Sequence, residues 1–352
     1  MPEHGLDVPL YRDGGQTAVD VARQAAAFFD GAERTLELAL YDIRLHDEAA
    51  EIVKAALVGA HERGVAVRLL YNADHVGPIP VPPPPRTAPE LLEALPIATA
   101  AVAGEPDLMH HKYAIRDRTA VWTGSMNWTD DSWSRQENVI VVAQSERLGH
   151  AFGLNFDELW DGRDVAASGQ VEPRPVDVGG IQVRPWFTPG HGDEVAHRIA
   201  KRIGQAQKRV RIASPVLTSG PILGTLAEVC SEGRVDVAGV IDDTQVDGVL
   251  DQWRQNGNAS WKVPALRRLL EAAAWSGKPS TEWAPGTVHD FMHAKIAVAD
   301  DVSFVGSFNL SRSGEQNAEN VLEIADAAIA DTLAAFVDEI RALYPAVTLP
   351  TA

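Results

Sequence analysis

The stretch MHHKYAIRDRTAVWTGSMN (109–127) returns later in the chain as MHAKIAVADDVSFVGSFN (292–309). Each copy reads histidine, any residue, lysine, four residues and aspartate, and then, after a short gap, Gly-Ser-x-Asn. The remaining residues are mostly apolar and typical of strands. Because burying polar groups costs free energy unless they are paired, a packed core does not need this polar set. The repeat therefore indicates a functional site.

The spacing within each copy predicts which side chains act together. Side chains alternate along a strand, so His110 and Lys112 share one face, and His293 and Lys295 share the equivalent face. His111 falls on the opposite face and does not fit the repeated spacing. We interpret His111 as a structural neighbour of the site.

The residues that follow each copy add hydrogen-bond donors, namely the hydroxyl and amide groups of Ser125, Asn127, Ser307 and Asn309. Together with two lysines, such donors suit a phosphoryl group with negatively charged oxygens. Two histidines facing one phosphorus can divide the chemistry, since a neutral imidazole attacks and a protonated one delivers a proton to the leaving oxygen. The attacking histidine then carries the phosphoryl group covalently until an acceptor removes it.

Two glutamates stand at the same distance behind the asparagines. Glu137 and Glu319 follow Asn127 and Asn309 by ten residues, and each is followed by another asparagine. A neighbouring carboxylate fixes the tautomer of an imidazole or holds it protonated. We therefore predict that each glutamate orients one of the two histidines.

A metal site built on the two histidines is the first alternative. Each histidine has a lysine two residues away on the same face, and an ammonium group repels a divalent cation. No cysteine or carboxylate stands close in sequence to supply the usual third and fourth ligands. We expect neither a metal nor another cofactor.

The repeat extends over the whole chain. VARQAAAFFDGAERTLELALYDI (21–43) and VAHRIAKRIGQAQKRVRIASPVL (195–217) share one layout of helix, turn and strand. We predict two similar halves, 1–165 and 181–352, joined by a linker at 166–180. Strands that alternate with helices imply an α/β fold with mixed or mostly parallel sheets flanked by helices. Packing with pseudo-twofold symmetry brings the two polar sets together.

The second half carries a long insertion at 244–290, which contains Trp253, Trp261, Trp275 and Trp283. These tryptophans are consistent with a small helical subcore. They are also consistent with a wall of the substrate pocket, because long loops beside a site often carry function.

Composition limits the classes of partner. Of 352 residues, 49 are acidic and 31 basic, which gives a net charge of −18 and disfavours nucleic acid and anionic surfaces. The chain has neither a run of about 18 apolar residues nor a recognisable secretory signal. The single cysteine, Cys230, cannot form an internal disulfide. We expect a cytoplasmic protein, with an exported mature chain as the alternative, and a monomer is sufficient because one chain carries both motifs.

Both quoted stretches resemble the HKD motifs of the phospholipase D superfamily, and two copies in one chain are similar to its single-chain members. The resemblance covers nearly the whole chain. It implies a metal-independent phosphodiesterase with its site between two α/β halves and a phosphohistidine intermediate. The half-sites that it implies are His110, Lys112, Ser125 and Asn127, and His293, Lys295, Ser307 and Asn309.

The same resemblance assigns roles to single residues. Asp117 and Asp300 correspond to the motif aspartates, which stabilise the strand and turn away from the phosphate. Glu137 and Glu319 look like the glutamates that orient a histidine. Members of the superfamily often use the histidine of the first motif as nucleophile, which makes His110 the nucleophile and His293 the acid.

The motifs do not identify the phosphodiester, since one fold hosts several functions. We expect hydrolysis of a zwitterionic phospholipid or a small phosphodiester. A nuclease and a phosphatidyltransferase of the same superfamily are the alternatives. A phosphate-binding module without activity predicts at least one damaged motif, and both motifs are intact.

Overall fold

Two mixed sheets with one strand order form the centre of the molecule. The computed structural model describes residues 5–73, 92, 94–104, 107–282, 284 and 286–349. Six strands of each sheet share one order. In the first sheet it is β10 (Asn138–Gln144), β8 (Ala120–Gly124), β7 (Lys112–Arg116), β3 (Thr35–Leu40), β5 (Ala66–Asn72) and β6 (Ala98–Val102), and in the second it is β18 (Asn320–Ala325), β17 (Val302–Gly306), β16 (Ile296–Ala299), β13 (Arg209–Ala213), β14 (Asp236–Asp242) and β15 (Ala274–Lys278). In both, the last two neighbour pairs are parallel and the others antiparallel. The fold is therefore α/β and made of two similar halves.

The strands of the first half are β1 (Leu6–Asp7), β2 (Leu10–Tyr11), β3 (Thr35–Leu40), β4 (Ile43–Arg44), β5 (Ala66–Asn72), β6 (Ala98–Val102), β7 (Lys112–Arg116), β8 (Ala120–Gly124), β9 (Trp128–Thr129) and β10 (Asn138–Gln144). Those of the second half are β11 (Val176–Val178), β12 (Ile181–Phe187), β13 (Arg209–Ala213), β14 (Asp236–Asp242), β15 (Ala274–Lys278), β16 (Ile296–Ala299), β17 (Val302–Gly306) and β18 (Asn320–Ala325). The short strands β4 and β9 pair with each other outside the main sheets.

The helices are α1 (Ala18–Asp30), α2 (Asp47–Glu62), α3 (Asp130–Ser134), α4 (Glu146–Gly162), α5 (Gly192–Gln205), α6 (Gly220–Glu232), α7 (Val246–Gln255), α8 (Ala259–Ala272), α9 (Arg312–Gln316) and α10 (Ala327–Leu343). Several of them begin at a residue whose side chain caps the helix. For example, Thr17 and Asp20 form a capping box at α1, in which each side chain accepts from the backbone of the other residue. In the described part of the chain, no helix is both long and apolar enough to cross a bilayer.

A shared core joins the halves. Phe152 and Phe156 of α4 are buried in the same cluster as Leu333 and Phe336 of α10, together with inward-facing residues of both sheets. Each half also has its own core beneath its outer helices. Burial of this much apolar surface between the halves fixes their relative placement, and with it the two motifs.

The predicted linker at 166–180 is partly strand, because β11 pairs with β12 at the edge of the second sheet. The boundaries at 165 and 181 stay a prediction. In the insertion at 244–290, Trp253 and Trp275 are buried in the core of the second half, whereas Trp261 is 43% exposed. Trp283 lies outside the described residues. The tryptophans at 253 and 275 thus belong to a core.

Candidate active site

The two motifs meet at a cavity of about 370 Å³ to which both halves contribute. His110 and Asn127 from the first half and His293 and Asn309 from the second line it. The insertion supplies much of the remaining wall, through Thr244, Gln245, Gly248, Val249, Gln252, Glu282 and His289. The insertion therefore also forms part of the pocket wall, but through residues other than the described tryptophans.

The backbone before each motif is bonded to the opposite half. The N–H of His110 donates to the carbonyl of Ala318 at 2.9 Å, and the N–H of His293 donates to the carbonyl of Glu137 at 3.2 Å. These bonds accompany isolated parallel bridges from Met109 to Ala318 and from Met292 to Glu137. Each histidine is therefore held in place by the half to which it does not belong.

Two polar residues that the sequence did not single out position the methionines before the histidines. Asn72 ends β5 and accepts from the N–H of Met109 at 2.9 Å, while Asp242 ends β14 and accepts from the N–H of Met292 at 3.0 Å. β5 and β14 occupy the same place in their sheets. In the sequence, these two residues could have been found as polar residues at the ends of two equivalent apolar strands.

The motif lysines are buried directly behind the histidines. The ammonium of Lys112 donates to the carbonyl of His110 at 2.6 Å, and that of Lys295 donates to the carbonyl of His293 at 2.6 Å. Burial lowers the pKa of Lys112 to about 7, against the neighbouring Glu319, which raises it. Burial, and then the charge of Lys112, lower the pKa of Lys295. An anion nearby therefore favours the charged form of both lysines.

His110 is paired with a carboxylate. Its Nδ1 lies 2.8 Å from both carboxylate oxygens of Glu319, a residue of the other half. Burial lowers the pKa of His110 to about 4, although Glu319 opposes this shift. The ring of Tyr41 meets the imidazole edge-on, with centroids 4.5 Å apart. Glu319 thus has the predicted contact with a histidine.

His293 is paired with an amide, and here the prediction for Glu137 is wrong. The Nδ1 of His293 lies 3.1 Å from Oδ1 of Asn138. The carboxylate of Glu137 instead accepts from the ammonium of Lys278 at 2.9 Å and from the phenol of Tyr344. Burial, and then the charge of Lys295, lower the pKa of His293.

A one-residue difference in register between the two halves explains why Asn138, and not Glu137, lies beside His293. Ser125 donates its backbone N–H to Val139, whereas Ser307 donates to Asn320, although Glu137-Asn138 and Glu319-Asn320 match in sequence. The glycines show the same offset, since a Cβ at Gly124 meets the carbonyl of Val139 at 2.1 Å and one at Gly306 meets that of Asn320 at 2.1 Å. A shift of one residue along a strand presents the next side chain to a given face.

By this register the structural counterpart of Glu319 is Asn138, and that of Ala318 is Glu137. The bridges from the two methionines to Ala318 and Glu137 agree with this assignment. Asn138 is fixed in turn, because its Oδ1 accepts from Ser125 at 2.7 Å and its amide donates to the carbonyl of Ser132 at 3.1 Å. The amide oxygen is therefore aimed at His293.

The asparagines and serines of the two half-sites differ in whether their side-chain oxygens already have hydrogen-bond partners. The Oδ1 atoms of Asn127 and Asn309 have no hydrogen-bond partner among the described residues, and both side chains line the cavity. Ser125 gives its only hydroxyl proton to Asn138, so the predicted phosphate contact is absent from this geometry. Ser307 accepts from the backbone of Asn320, and its contact with phosphate stays a prediction.

The motif aspartates serve their own turns. Asp117 accepts from the backbone N–H groups of Glu33, Arg34 and Thr35, and Asp300 accepts from those of Gln207, Lys208 and Arg209. Both have positive φ, 53° and 52° respectively. Neither is among the described residues that line the cavity.

His111 is fully buried and faces away from the cavity, among aromatic rings. Its Nδ1 accepts from the amide of Asn320 at 3.2 Å, and its ring packs against those of Tyr113 and Phe187. It does not line the cavity. This environment is that of a structural residue.

Curated relatives share part of this chain. The Mitochondrial cardiolipin hydrolase of Xenopus laevis is 30% identical over 140 residues, which are 39% of this chain and 59% of that protein. The Mitochondrial cardiolipin hydrolase of Homo sapiens is 26% identical over 108 residues, which are 29% of this chain and 37% of that protein. The chain thus matches less than two thirds of the length of each of these relatives.

Solved structures resemble the whole fold. Phosphatidylserine synthase from Haemophilus influenzae Rd KW20 matches with a TM-score of 0.66 at 14% identity, over 95% of this chain and 86% of that one. Polyphosphate kinase from Porphyromonas gingivalis matches with a TM-score of 0.59 at 12% identity, over 96% of this chain and 50% of that one. At such low identity these similarities show the fold alone.

The family described as "Cardiolipin synthase, PLD-like domain" matches the sequence twice, at residues 26–160 and 199–341. Each match contains one of the two motifs and most of one sheet. Together the two matches cover well over half of the chain. The chain therefore belongs to the phospholipase D superfamily.

Proposed function

We propose that this protein is a phospholipase D-like phosphodiesterase that works without a metal ion and through a phosphohistidine. The observation that carries the proposal is that His110 and His293 line the same cavity, each with a buried lysine behind it. Two imidazoles and two cations at one place are the groups needed to bind and cleave a phosphodiester.

In the first step, Nε2 of His110 attacks phosphorus and forms a P–N bond while the bond to the leaving oxygen breaks. His293, protonated on Nε2, gives that proton to the leaving oxygen, so that an alcohol departs. In the second step, His293 takes a proton from water, whose oxygen attacks phosphorus and releases His110. The lysines and the pocket asparagines stabilise the negative oxygens throughout.

The unequal partners of the histidines support this division of roles. Attack turns the neutral ring of His110 into a cation, and the carboxylate of Glu319 lies where that charge develops. His293 loses a positive charge in the same step, and its amide partner does not hold the proton back. A carboxylate on the nucleophile and an amide on the acid match the movement of charge.

The lining of the cavity also has features that suit a substrate with a positive group. Asp131 and Glu282 line the cavity, and burial raises the pKa of Asp131. Gln136 is 4% exposed, and its Oε1 has no hydrogen-bond partner among the described residues. Apolar contacts come from Val249 and Phe291. Carboxylates in the same cavity as the two histidines favour a zwitterionic phosphodiester, and the curated relatives named for cardiolipin support a phospholipid.

The test is a panel of substrates with and without EDTA. It contains vesicles of a choline phospholipid, vesicles of cardiolipin, a bis-aryl phosphodiester, and single- and double-stranded DNA. We expect turnover of the aryl ester and of at least one phospholipid, unchanged by EDTA, because lysines rather than a cation neutralise the phosphate. Faster cleavage of DNA than of either lipid identifies a nuclease instead. Loss of turnover on chelation, restored by added metal, contradicts the proposed mechanism.

Water and alcohols compete for the phosphohistidine, which separates hydrolysis from transfer. We expect phosphatidic acid as the main product when the choline phospholipid is turned over in water. Exclusive transfer to added glycerol or ethanol, with no hydrolysis in water alone, identifies a phosphatidyltransferase instead. The intermediate is common to both outcomes.

A further inference from the structure

Glu137 lies in a buried charged network beside the active site. Its carboxylate accepts from the ammonium of Lys278 at 2.9 and 3.1 Å and from the phenol of Tyr344. Lys278 also donates to Asp13 at 3.1 Å. Glu137 is 1% exposed and Lys278 is 2% exposed. A buried ion pair of this kind holds its members firmly, since either charge alone is costly.

The first half has no such pair at the corresponding positions. Lys278 lies opposite Asp242 in the β14–β15 ladder, and its counterpart is Val102, which lies opposite Asn72 in the β5–β6 ladder. The register counterpart of Glu137 is Ala318. Val102 and Ala318 are both buried in the shared core. One half-site thus has two apolar residues where the other has an ion pair.

The sequence around Glu137 also matches the register of the other half. In sequence, Glu137 stands where Glu319 stands, and a slip of one residue presents its carboxylate to His293, as Glu319 is presented to His110. Without a cation nearby, buried Glu137 gains a partner by that slip. Lys278 removes this gain because it already neutralises the carboxylate.

We propose that Lys278, assisted by Tyr344, is a positioning residue that fixes the register of residues 136–138 and so presents Asn138, not Glu137, to His293. It touches neither the substrate nor the histidines; it acts through Glu137. The positional claim stands on the contacts alone, whereas its consequence for catalysis rests on the proposed function. The consequence is that His293, the proposed acid, has no carboxylate as its Nδ1 partner.

The charged and titratable groups that act on His293 come from several elements. They are Lys295 and His289 in its own half and Lys112 and His110 in the other. Around Glu137 they are Lys278, Tyr344 and Asp13, and Asp290 also acts on Tyr344. Each of these groups is present in all variants below, apart from the group that is replaced.

The test follows the titration of His293 by NMR, using its Hε1 resonance, which is assigned by its loss in His293→Gln. In Lys278→Gln we expect the midpoint to rise by about 1–3 pH units, because a carboxylate then faces the imidazole. The basic limb of kcat/KM for an alkyl phosphodiester moves up with it. Lys278→Arg keeps the charge and is expected to keep the wild-type midpoint.

The matched control is the double variant Glu137→Ala with Lys278→Val, which copies the apolar pair of the first half. Here no carboxylate is left to slip, so the wild-type midpoint is expected to return. A folded Lys278→Gln protein with an unchanged midpoint overturns the proposal, as does an equal shift in the double variant. Should Lys278→Gln fail to fold, Tyr344→Phe replaces it, with a smaller upward shift expected and no shift counting against the proposal.

The two readouts separate this inference from the proposed function. The NMR midpoint does not depend on turnover, so the predicted shift in a protein inactive on every phosphodiester supports the positional claim and contradicts the function. Normal turnover with no shift in any variant supports the function and contradicts the positional claim.

Discussion

The half-sites around His110 and His293 are built from the same sequence motif but differ in what surrounds each imidazole. Around His110, the Nδ1 partner is the carboxylate of Glu319, whereas around His293 it is the amide of Asn138. The elements that carry them are equivalent in both sheets. A shift of one residue is therefore enough to make two equal motifs electrostatically unequal.

That inequality suits a reaction in which two histidines have different tasks. A carboxylate stabilises the ring that becomes positive, and an amide leaves the other ring a stronger acid. Two identical half-sites, by contrast, provide no reason for one histidine to attack first.

The largest predicted effect among these variants comes from removing the acid. In His293→Ala, turnover of an alkyl phosphodiester is expected to fall roughly 100- to 10,000-fold, the range of general acid catalysis. An aryl phosphodiester, whose leaving group needs little protonation, is expected to keep a fast first step. Rapid-quench measurements with both esters test this. Equal loss of the first step for both esters argues against His293 as the acid.

A smaller effect is expected when the partners of the histidines are changed. Glu319→Gln replaces a charged hydrogen bond, which contributes about 1.5–3 kcal/mol, so kcat/KM is expected to fall about 10- to 150-fold. Asn138→Ala removes a neutral bond of about 0.5–1.5 kcal/mol and is expected to cost about 2- to 12-fold. Steady-state kinetics of the two variants compare the half-sites directly, and equal losses contradict their inequality.

The same pair of variants has a predicted pH signature. The pKa of His110 is already lowered to about 4, and Glu319 opposes that shift. Glu319→Gln therefore lowers this pKa further, and the acid limb of kcat/KM, which reports protonation of the nucleophile, moves to lower pH. Asn138→Ala is expected to leave that limb in place.

The smallest predicted effect concerns the lysines. Because burial lowers the pKa of Lys112 to about 7, the free enzyme loses this charge as pH rises through that value. Inhibition by a dialkyl phosphate, whose own charge is constant, is expected to weaken by roughly three- to tenfold between pH 7 and 8. Lys112→Arg stays charged and is expected to remove this dependence. An unchanged inhibition constant in the wild type argues against a titrating lysine at the phosphate.

The sequence predicted what depends on local pattern. The parity of His110 and Lys112, the repeated layout of helices and strands and the two-half α/β fold all follow from spacing within short segments. The meeting of the motifs at one cavity followed from the repeat. The pairing of Glu319 with a histidine followed from the repeated spacing of the two glutamates and from the family resemblance.

The sequence did not predict the partner of His293, because the deciding contacts are remote. Glu137 follows its asparagine by the same ten residues as Glu319, so spacing gave no sign of a different register. Lys278 and Tyr344, which hold Glu137, are 141 and 207 residues away in the chain. Asn72 and Asp242 were missed because a single polar residue at a strand end is common.

The most direct measurement is the position of the covalent phosphoryl group. His293→Ala is mixed with an aryl phosphodiester, quenched and digested, and the acid-labile label is mapped to a peptide. The assignment of His110 as nucleophile predicts label on the peptide that contains His110, accumulating because hydrolysis lacks its base, and no label or turnover in His110→Ala. Label on His293 in the His110→Ala protein, or turnover without label in either variant, contradicts it.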